Sequence, residues 1–230
     1  MKTIGLLGGM TSESSTEYYR LINRLTRAKL GGVHSARSIM LSVDFAIMDE
    51  LMEREDWGNI RELLLSDAQR IERAGADFLV ICTNTMHQFA DYIQERIGIP
   101  ILNLIDATAA QIKRKGIDTI GLLGTRFTME MDFYKGRLME KHHLNVLIPS
   151  PAEIDIIHRI IGTELAIGEI KKASNLQYWE IIDRLVAQGA GGVILGCTEI
   201  PLLVHESEGN VPLFDTTYIH AAAAVEYALD

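Results

Sequence analysis

The sequence lacks several features that mark particular classes of protein. It has two cysteines in 230 residues, Cys82 and Cys197, too few and too far apart for the disulfide framework of a secreted domain. Acidic residues outnumber basic ones by 31 to 22, so the clustered Lys and Arg that bind nucleic acid phosphates are not expected. No apolar run approaches the ~20 residues of a membrane helix. We therefore predict a cytoplasmic protein that binds neither nucleic acid nor a membrane.

The overall composition is typical of a globular protein, with 47% hydrophobic and 23% charged residues. Short apolar runs alternate with longer amphipathic segments, as in an α/β fold. The apolar runs lack a clean alternation, which indicates strands covered on both faces in parallel sheets. The predicted strands cover residues 3–7, 38–43, 78–81, 99–102, 119–123, 145–148, 192–195 and 211–214.

The second half of the chain repeats the first. The letters TIGLLG occur at Thr3 and again at Thr119, and AGADFLVI from Ala74 matches QGAGGVIL from Gln188. The segment IPIL at 99–102 likewise matches VPLF at 211–214. These matches keep their order at offsets of 112 to 116 residues, which predicts an internal duplication.

A duplicated α/β unit predicts two similar flavodoxin-like or Rossmann-like domains, related by a pseudo-twofold axis. We place the first domain at 1–104 plus 210–230 and the second at 105–209. Ligands of open parallel sheets bind beyond the carboxyl ends of the strands, so the active site is expected in the cleft between the domains. Such a cleft would present matched groups to both faces of one substrate carbon.

The register of the repeat decides which residues form that pair. If Gly75 corresponds to Gly189, then Cys82 corresponds to Gly196 and Thr83 to Cys197. Side chains alternate along a strand, so Cys82 and Thr83 should point in different directions. We predict that Thr83 and Cys197 are the catalytic pair and that Cys82 is packed inside as a small hydrophobic residue.

The motifs at these positions resemble those of the cofactor-independent aspartate/glutamate racemases. The resemblance covers essentially the whole chain and is carried by GGMTSESS, CTNTMH, LGTRFTM, GCTEI and FDTTYIH. The first catalytic motif of that family usually contains a cysteine before Asn-Thr, and here that position is Thr83. The chain is thus similar to the subgroup in which threonine replaces the first catalytic cysteine.

The resemblance implies a racemase of aspartate or glutamate that uses no cofactor and no metal, forms a homodimer and favours the L enantiomer. It also implies that Met10 contacts the substrate and that Glu164 lies in a lid over the site. From the residue types and the repeat we add side-chain donors and charged groups at the strand ends. These candidate substrate-binding residues are Asn84, Thr85, Thr125, Arg126, Thr128, Thr198 and Glu199.

Racemisation without a cofactor needs an acid on one face of Cα and a base on the other. A thiol can serve as either once its pKa is lowered, and we expect the backbone N–H groups after the strand to favour a thiolate at Cys197. A threonine hydroxyl is a much weaker acid, which predicts that the enzyme favours one enantiomer as its starting material. We expect Thr83→Cys to make racemisation faster and more nearly equal from the two enantiomers.

Two other interpretations remain open at this point. The chain could be a one-cysteine decarboxylase or cis–trans isomerase with the same fold. It could also be a sensor that binds an acidic amino acid without turning it over, since Thr83 replaces a catalytic thiol. The sequence does not separate aspartate from glutamate, because one methylene is worth only ~1–3 kcal/mol in a pocket.

Overall fold

The computed structural model describes all residues, 1–230, as two compact units. The first unit contains Met1–Leu104 and His220–Asp230, and the second contains Ile105–Ile219. The chain returns to the first unit at His220 and not at residue 210, the position predicted from the sequence. The difference arises because a strand within 210–219 pairs with the sheet of the second unit.

The first unit is built on a parallel three-stranded sheet of order β2-β1-β3. The segment predicted as a further strand at 99–102 makes only a single bridge, from Ile101 to Leu79. No helix of the chain is long and apolar enough to cross a membrane. The elements are β1 (Ile4–Gly8), α1 (Ser12–Leu30), β2 (Ser38–Ser42), α2 (Phe45–Glu53), α3 (Trp57–Arg73), β3 (Phe78–Ile81), a 3-10 helix (Thr85–Phe89) and α4 (Ala90–Gln94).

The second unit contains a parallel four-stranded sheet of order β5-β4-β6-β7. Its strands are β4 (Thr119–Gly124), β5 (Asn145–Leu147), β6 (Val193–Gly196) and β7 (Leu213–Asp215). The remaining helices are α5 (Leu104–Arg114), α6 (Arg126–Glu130), α7 (Asp132–His142), α8 (Pro151–Thr163), α9 (Lys172–Ala187), α10 (Ile200–Leu203) and α11 (Thr216–Leu229), with 3-10 turns at Leu165–Ile167 and Glu206–Glu208.

The first-unit sheet is covered on both faces, as the apolar strands predicted. Leu7, Leu79 and Ile81 pack in one hydrophobic cluster, on the side of α3. Their strand neighbours, among them Leu6 and Val80, pack in a second cluster formed with α1 and α11. The alternation along β1 and β3 therefore divides their side chains between two cores.

The ladders of the two sheets have equivalent registers. Gly5 of β1 pairs with Leu79 of β3, and the repeated Gly121 of β4 pairs with Val193 of β6. Leu79 and Val193 therefore hold equivalent places in their sheets. Counting forward from them makes Thr83 equivalent to Cys197, which is the register that the internal repeat predicted.

Candidate active site

Each sheet has the strand order of a doubly wound fold, and sheets of this order bind ligands at a known place. The chain runs outward from the central strand to one neighbour and then crosses to the other, as in the flavodoxin-like order 2-1-3-4. The crevice of such a sheet opens beyond the carboxyl ends of its first and third strands. In the first unit these are the loops after β1 and β3, and in the second unit the loops after β4 and β6.

The loop after β1 is held tightly by the start of α1. The backbone N–H of Gly9 donates to Ser15 Oγ at 2.7 Å, and Ser14 Oγ donates to the carbonyl of Cys82 at 2.9 Å. Thr11 caps α1 through its side chain. Met10, which resembles a substrate-contacting residue of the racemases, is 7% exposed and belongs to the hydrophobic cluster beside β1.

Cys82 lies in the core and Thr83 lies at its edge. Cys82 is fully buried in the cluster formed with α1 and α11, and this burial raises the pKa of its thiol. Thr83 is partly exposed at the end of β3. The structure thus confirms that Cys82 is a packed hydrophobic residue and that its neighbour Thr83 is the accessible one.

A buried histidine fixes the backbone at Thr83. The N–H of Leu104 donates to His87 Nε2 at 3.1 Å, so the Nδ1 atom of the neutral ring carries the proton and donates to the Thr83 carbonyl at 2.7 Å. Asn84 and Thr85 follow in the same turn and are buried. The sequence does not reveal this role of His87, because its partner Leu104 is separated from it by 17 residues.

The loop after β4 contains three of the predicted binding residues in different environments. Thr125 caps α6 and its hydroxyl lies 3.3 Å from that of Thr128, which is fully buried. The guanidinium of Arg126 forms an ion pair with Asp155 of α8. Arg126 therefore already has a carboxylate partner within its own unit, and Thr128 supports the loop from inside.

The loop after β6 brings a thiol and a carboxylate into direct contact. Cys197 Sγ and Thr198 Oγ1 both donate to Glu199 Oε2, each at 2.8 Å. Cys197 is partly exposed, in contrast to Cys82. A thiol that donates to a carboxylate is protonated, so this geometry records Cys197 in its neutral form.

The expectation that Cys197 has a lowered pKa is wrong. Burial raises the pKa of the Cys197 thiol well above its ordinary value, and the neighbouring Glu199 carboxylate raises it further. Backbone N–H groups of Thr198 and Glu199 do act in the expected direction, but they are outweighed. An anion next to a thiol opposes formation of a second anion.

Glu164 is buried and satisfied within the second unit. Its Oε2 atom accepts a 2.6 Å hydrogen bond from Ser174 Oγ of α9, and its Oε1 atom lies 3.7 Å from Arg159 and 3.8 Å from Lys171. The residue is 6% exposed. Through these side-chain contacts Glu164, at the end of α8, holds the start of α9 in place.

The described residues contain no group of three or more His, Cys, Asp and Glu side chains arranged to hold a metal ion. One residue that the sequence did not indicate is Tyr178, a buried tyrosine of α9 whose pKa is raised by burial and by the neighbouring negative charge of Glu199. No sequence motif identifies it, because its position depends on how α9 packs against β4.

The fold and these loops define a duplicated α/β protein with a thiol–carboxylate pair in one half and a threonine at the equivalent place in the other. Residues 7–224 match the sequence model of the family described as Asp/Glu/hydantoin racemase. The chain belongs to that family, whose members are racemases, a class of isomerase.

Solved structures and curated proteins agree with this assignment. The chain is similar to a Yersinia pestis protein described as a candidate Asp/Glu racemase, with 50% identity, a TM-score of 0.95 and full coverage of both chains. It is also similar to an aspartate racemase homologue from Pyrococcus horikoshii, with 35% identity, a TM-score of 0.87 and full coverage of both. A broad-specificity amino-acid racemase of Bacillus subtilis is 22% identical over 178 residues, 74% of this chain and 73% of that protein.

Proposed function

We propose that this chain interconverts the L and D forms of aspartate or glutamate by removing and returning the Cα proton, without a cofactor or a metal. The observation that carries the proposal is the 2.8 Å contact between Cys197 Sγ and Glu199 Oε2. It supplies a thiol with its own proton acceptor at the carboxyl end of β6, where a sheet of this order binds ligands. Membership of a racemase family supports the same reaction.

The pair can form a thiolate without creating a second negative charge. Transfer of the Cys197 proton to Glu199 leaves a thiolate beside a neutral carboxyl group, and the pair keeps one negative charge throughout. The thiolate then takes the Cα proton of the substrate and becomes a thiol again, which leaves a carbanion. A raised thiol pKa in the resting state is compatible with this role, because the pair titrates as a unit.

Return of the proton from the opposite face falls to Thr83 in this proposal. The Thr83 hydroxyl, or a water that it holds, gives a proton to the carbanion and takes one back from solvent, while the neutral Glu199 carboxyl releases one to solvent. The support is that Thr83 and Cys197 hold equivalent positions in their sheets. Because a hydroxyl is a poor acid, this second transfer is expected to be the slow one.

Thermodynamics limits how the difference between Thr83 and Cys197 can affect the rates from the two enantiomers. Two enantiomers have equal free energies in an achiral solvent, so complete racemisation must have the same kcat/KM in both directions. A difference between enantiomers appears instead in proton exchange without inversion. Cys197 can remove and return a proton on its own face, so the enantiomer facing it, which we propose is L, exchanges Cα–H faster than it racemises.

Substrate binding is assigned to residues of the loops at the carboxyl ends of the strands. We propose that Met10 shapes the site and that Asn84, Thr85, Thr125 and Thr198 contribute polar contacts. Of the other predicted binding residues, Arg126, Thr128 and Glu164 support the loops rather than contact the substrate, and Glu199 is the proton acceptor of Cys197. A homodimer, implied by the family resemblance, is part of this proposal and is tested by sedimentation of the purified chain.

The deciding experiment is incubation of the protein in deuterated water with each enantiomer of aspartate and glutamate. Loss of the Cα–H signal by NMR measures proton abstraction, and chiral chromatography measures inversion. A 5-substituted hydantoin in a parallel incubation tests the other substrate class in the family description. Cys197→Ser is the control and should show no exchange.

Other outcomes would replace the proposal. A new product from an acidic substrate would indicate a decarboxylase or a cis–trans isomerase. Binding by calorimetry without any exchange would indicate a sensor. Exchange that survives Cys197→Ser would remove Cys197 from the mechanism.

A further inference from the structure

The Cys197 loop leads directly into α10, a helix of only four residues. The N–H of Ile200 donates to the Cys197 carbonyl at 3.2 Å, and the N–H of Leu202 donates to the Glu199 carbonyl at 3.1 Å. The backbone that carries the thiol and its carboxylate partner is therefore continuous with the first turn of α10. A helix this short has little stability of its own, so contacts with other elements must fix its position.

The far end of α10 is held by a side chain of α9. Asn175 Nδ2 donates to the carbonyl of Leu203, the last residue of α10, at 2.7 Å. The same nitrogen donates to Glu208 Oε2 at 3.0 Å. Because a side-chain amide has two hydrogens to donate, Asn175 can tie both the end of α10 and the segment beyond it to α9.

Glu208 collects further donors at the same oxygen. Its Oε2 atom accepts from the indole Nε1 of Trp179 at 2.9 Å and from the backbone N–H of His205 at 3.2 Å. The hydrogen bond from Trp179 is the largest of the effects that lower the pKa of Glu208. The next residue, Gly209, lies against the indole, since a Cβ at this position would collide with the ring. The segment that follows α10 is thus fitted to the side of α9.

We propose that Asn175 is a positioning residue for the Cys197–Glu199 pair, and that with Trp179 and Glu208 it forms a clamp on α10 that keeps the Glu199 carboxylate in contact with the thiol. Hydrogen bonds make the connection at every step. They run from the clamp to the last carbonyl of α10, along that helix to its first turn, and across the 2.8 Å contact between Cys197 Sγ and Glu199 Oε2.

Loss of the clamp should affect the thiol and the reaction in opposite directions. Burial and, after it, the Glu199 carboxylate raise the pKa of Cys197. A carboxylate that moves away would therefore let the thiol ionise at lower pH. The same movement would take the proton acceptor from the pair, and a misplacement of about 1 Å can cost on the order of 10²-fold in rate. A residue that only stabilises the fold would not separate these effects.

The first test needs no substrate. Alkylation of Cys197 by iodoacetamide, followed by mass spectrometry over a range of pH, reports the apparent pKa of its thiol. Asn175→Ala should lower this pKa by about one unit, which raises the alkylation rate near neutral pH roughly tenfold. Cys82, fully buried in the first unit, should stay unmodified and so report that the fold is intact.

Asn23→Ala is the matched control. Asn23 also holds a helix to a neighbouring segment, since its amide donates to the Tyr19 carbonyl and accepts from the N–H of Ala36. Its truncation removes the same kind of contacts in the first unit, remote in sequence from the Cys197 loop. Asn23→Ala should lower stability and leave the titration of Cys197 unchanged.

Glu208 provides a second pair of variants at an exposed position. Glu208→Ala removes the acceptor that Asn175 and Trp179 share, and should lower the pKa of Cys197 by about half a unit, roughly threefold in alkylation rate. Glu208→Gln keeps an acceptor oxygen and should restore the wild-type titration. A wild-type titration in folded Asn175→Ala would overturn the inference. If Asn175→Ala does not fold, a wild-type titration in Glu208→Ala would overturn it instead.

The expected effect on rate rests on the proposed function, which this inference deepens. If the proposed racemisation is present, kcat of Asn175→Ala should fall at least about tenfold with little change in KM. The acidic limb of its pH profile should move to lower pH together with the thiol titration. A lower kcat with an unchanged thiol titration would overturn the inference. A shifted titration in a protein that racemises neither aspartate nor glutamate would uphold the role of Asn175 and refute the proposed function.

Discussion

Cys82 and Cys197 show how one residue type acquires two different roles. Both thiols have raised pKa values with burial as the main cause, but only Cys197 has a carboxylate at 2.8 Å. Cys82 instead lies in a hydrophobic cluster, with Val80 O as its nearest hydrogen-bonding atom at 3.8 Å. The chemistry depends on the acceptor beside the thiol.

We expect Cys197→Ser to abolish Cα proton exchange while leaving the fold intact, because a serine hydroxyl is far too weak an acid to form the needed anion. Cys82→Ala should retain most of the exchange and lose about 1 kcal/mol of unfolding free energy from imperfect packing. Exchange by NMR and urea unfolding of both variants provide the measurements. An essential Cys82 with a dispensable Cys197 would contradict the matched registers of the two sheets.

Thr83→Cys tests the role of the equivalent position in the first unit. Cysteine and threonine are similar in size, so little overpacking is expected at this partly exposed site. A competent proton-transfer group contributes typically 10²–10⁴-fold in rate, so kcat should rise for racemisation and Cα proton exchange should become faster from the slower enantiomer. Initial rates with all four amino-acid enantiomers at one pH measure both effects.

The kcat/KM values from the two enantiomers should remain equal in wild type and in Thr83→Cys. A folded Thr83→Cys with no gain from the slower enantiomer would show that Thr83 is not the second acid. Thr83→Ser, a change that keeps the hydroxyl at the same position, provides a comparison for nonspecific disturbance of the loop.

At the level of elements, a chain of buried hydrogen bonds joins α1, α11 and the turn after β3. Tyr18 O–H donates to His220 Nδ1 at 2.9 Å, and His220 Nε2–H donates to the Leu102 carbonyl at 2.7 Å. The His220 ring meets that of His87 edge to face, and His87 holds the Thr83 carbonyl. The position of the Thr83 turn therefore depends on two neutral imidazoles.

This network predicts a stability loss in mild acid. Burial lowers the pKa of His220 to about 3, so between about pH 6.5 and pH 3 the unfolded chain binds a proton that the folded protein excludes. The unfolding free energy then falls as pH falls through this window, by at most about 1.4 kcal/mol per pH unit from this group. Urea unfolding at several pH values measures the slope.

His220→Gln should remove the contribution of His220 to the slope of unfolding free energy against pH. The substitution should also lower stability at neutral pH. His34→Gln, at an exposed histidine, should keep the wild-type slope. If His220→Gln and wild type show parallel pH dependence above the range where carboxylates titrate, the histidine is not excluded from protonation by the fold.

For the whole molecule, the duplication extends to the backbone geometry of equivalent turns. Gly75 follows α3 with φ +95° and Gly189 follows α9 with φ +105°. Each glycine is followed by an alanine whose N–H bonds back to the helix, Ala76 to Ile71 and Ala190 to Leu185. This is the left-handed helix termination that favours glycine.

We expect Gly75→Ala and Gly189→Ala to destabilise their own units by similar amounts, about 1–2 kcal/mol each. Neither added methyl group would meet an atom within 4 Å, so the cost is that of the backbone conformation. Gly162→Ala, in the last turn of α8 and equally open, should stabilise by about 0.5 kcal/mol instead. Hydrogen exchange of α3 and α9 gives the effect in each unit, and a clear inequality would mean that the two turns are not equivalent.

The sequence by itself determined the α/β class, the two parallel sheets and the register between the halves. Repeated glycines and apolar runs carry that information, because the period of two along a strand fixes which residues are buried once the strand ends are known. It also indicated that Cys82 is internal, since Cys82 corresponds to Gly196 and not to Cys197. These are local and repeated properties that the order of the letters specifies.

Only the tertiary structure decided the protonation and the partners at the site. The thiol pKa of Cys197 depends on burial and on the distance to Glu199, and the pairing of Arg126 with Asp155 depends on the packing of α8. The location of Tyr178 and the contact of His87 with Leu104 join segments that are distant in sequence. Electrostatic effects follow distance and exclusion of water, and a linear sequence specifies these only after the chain has folded.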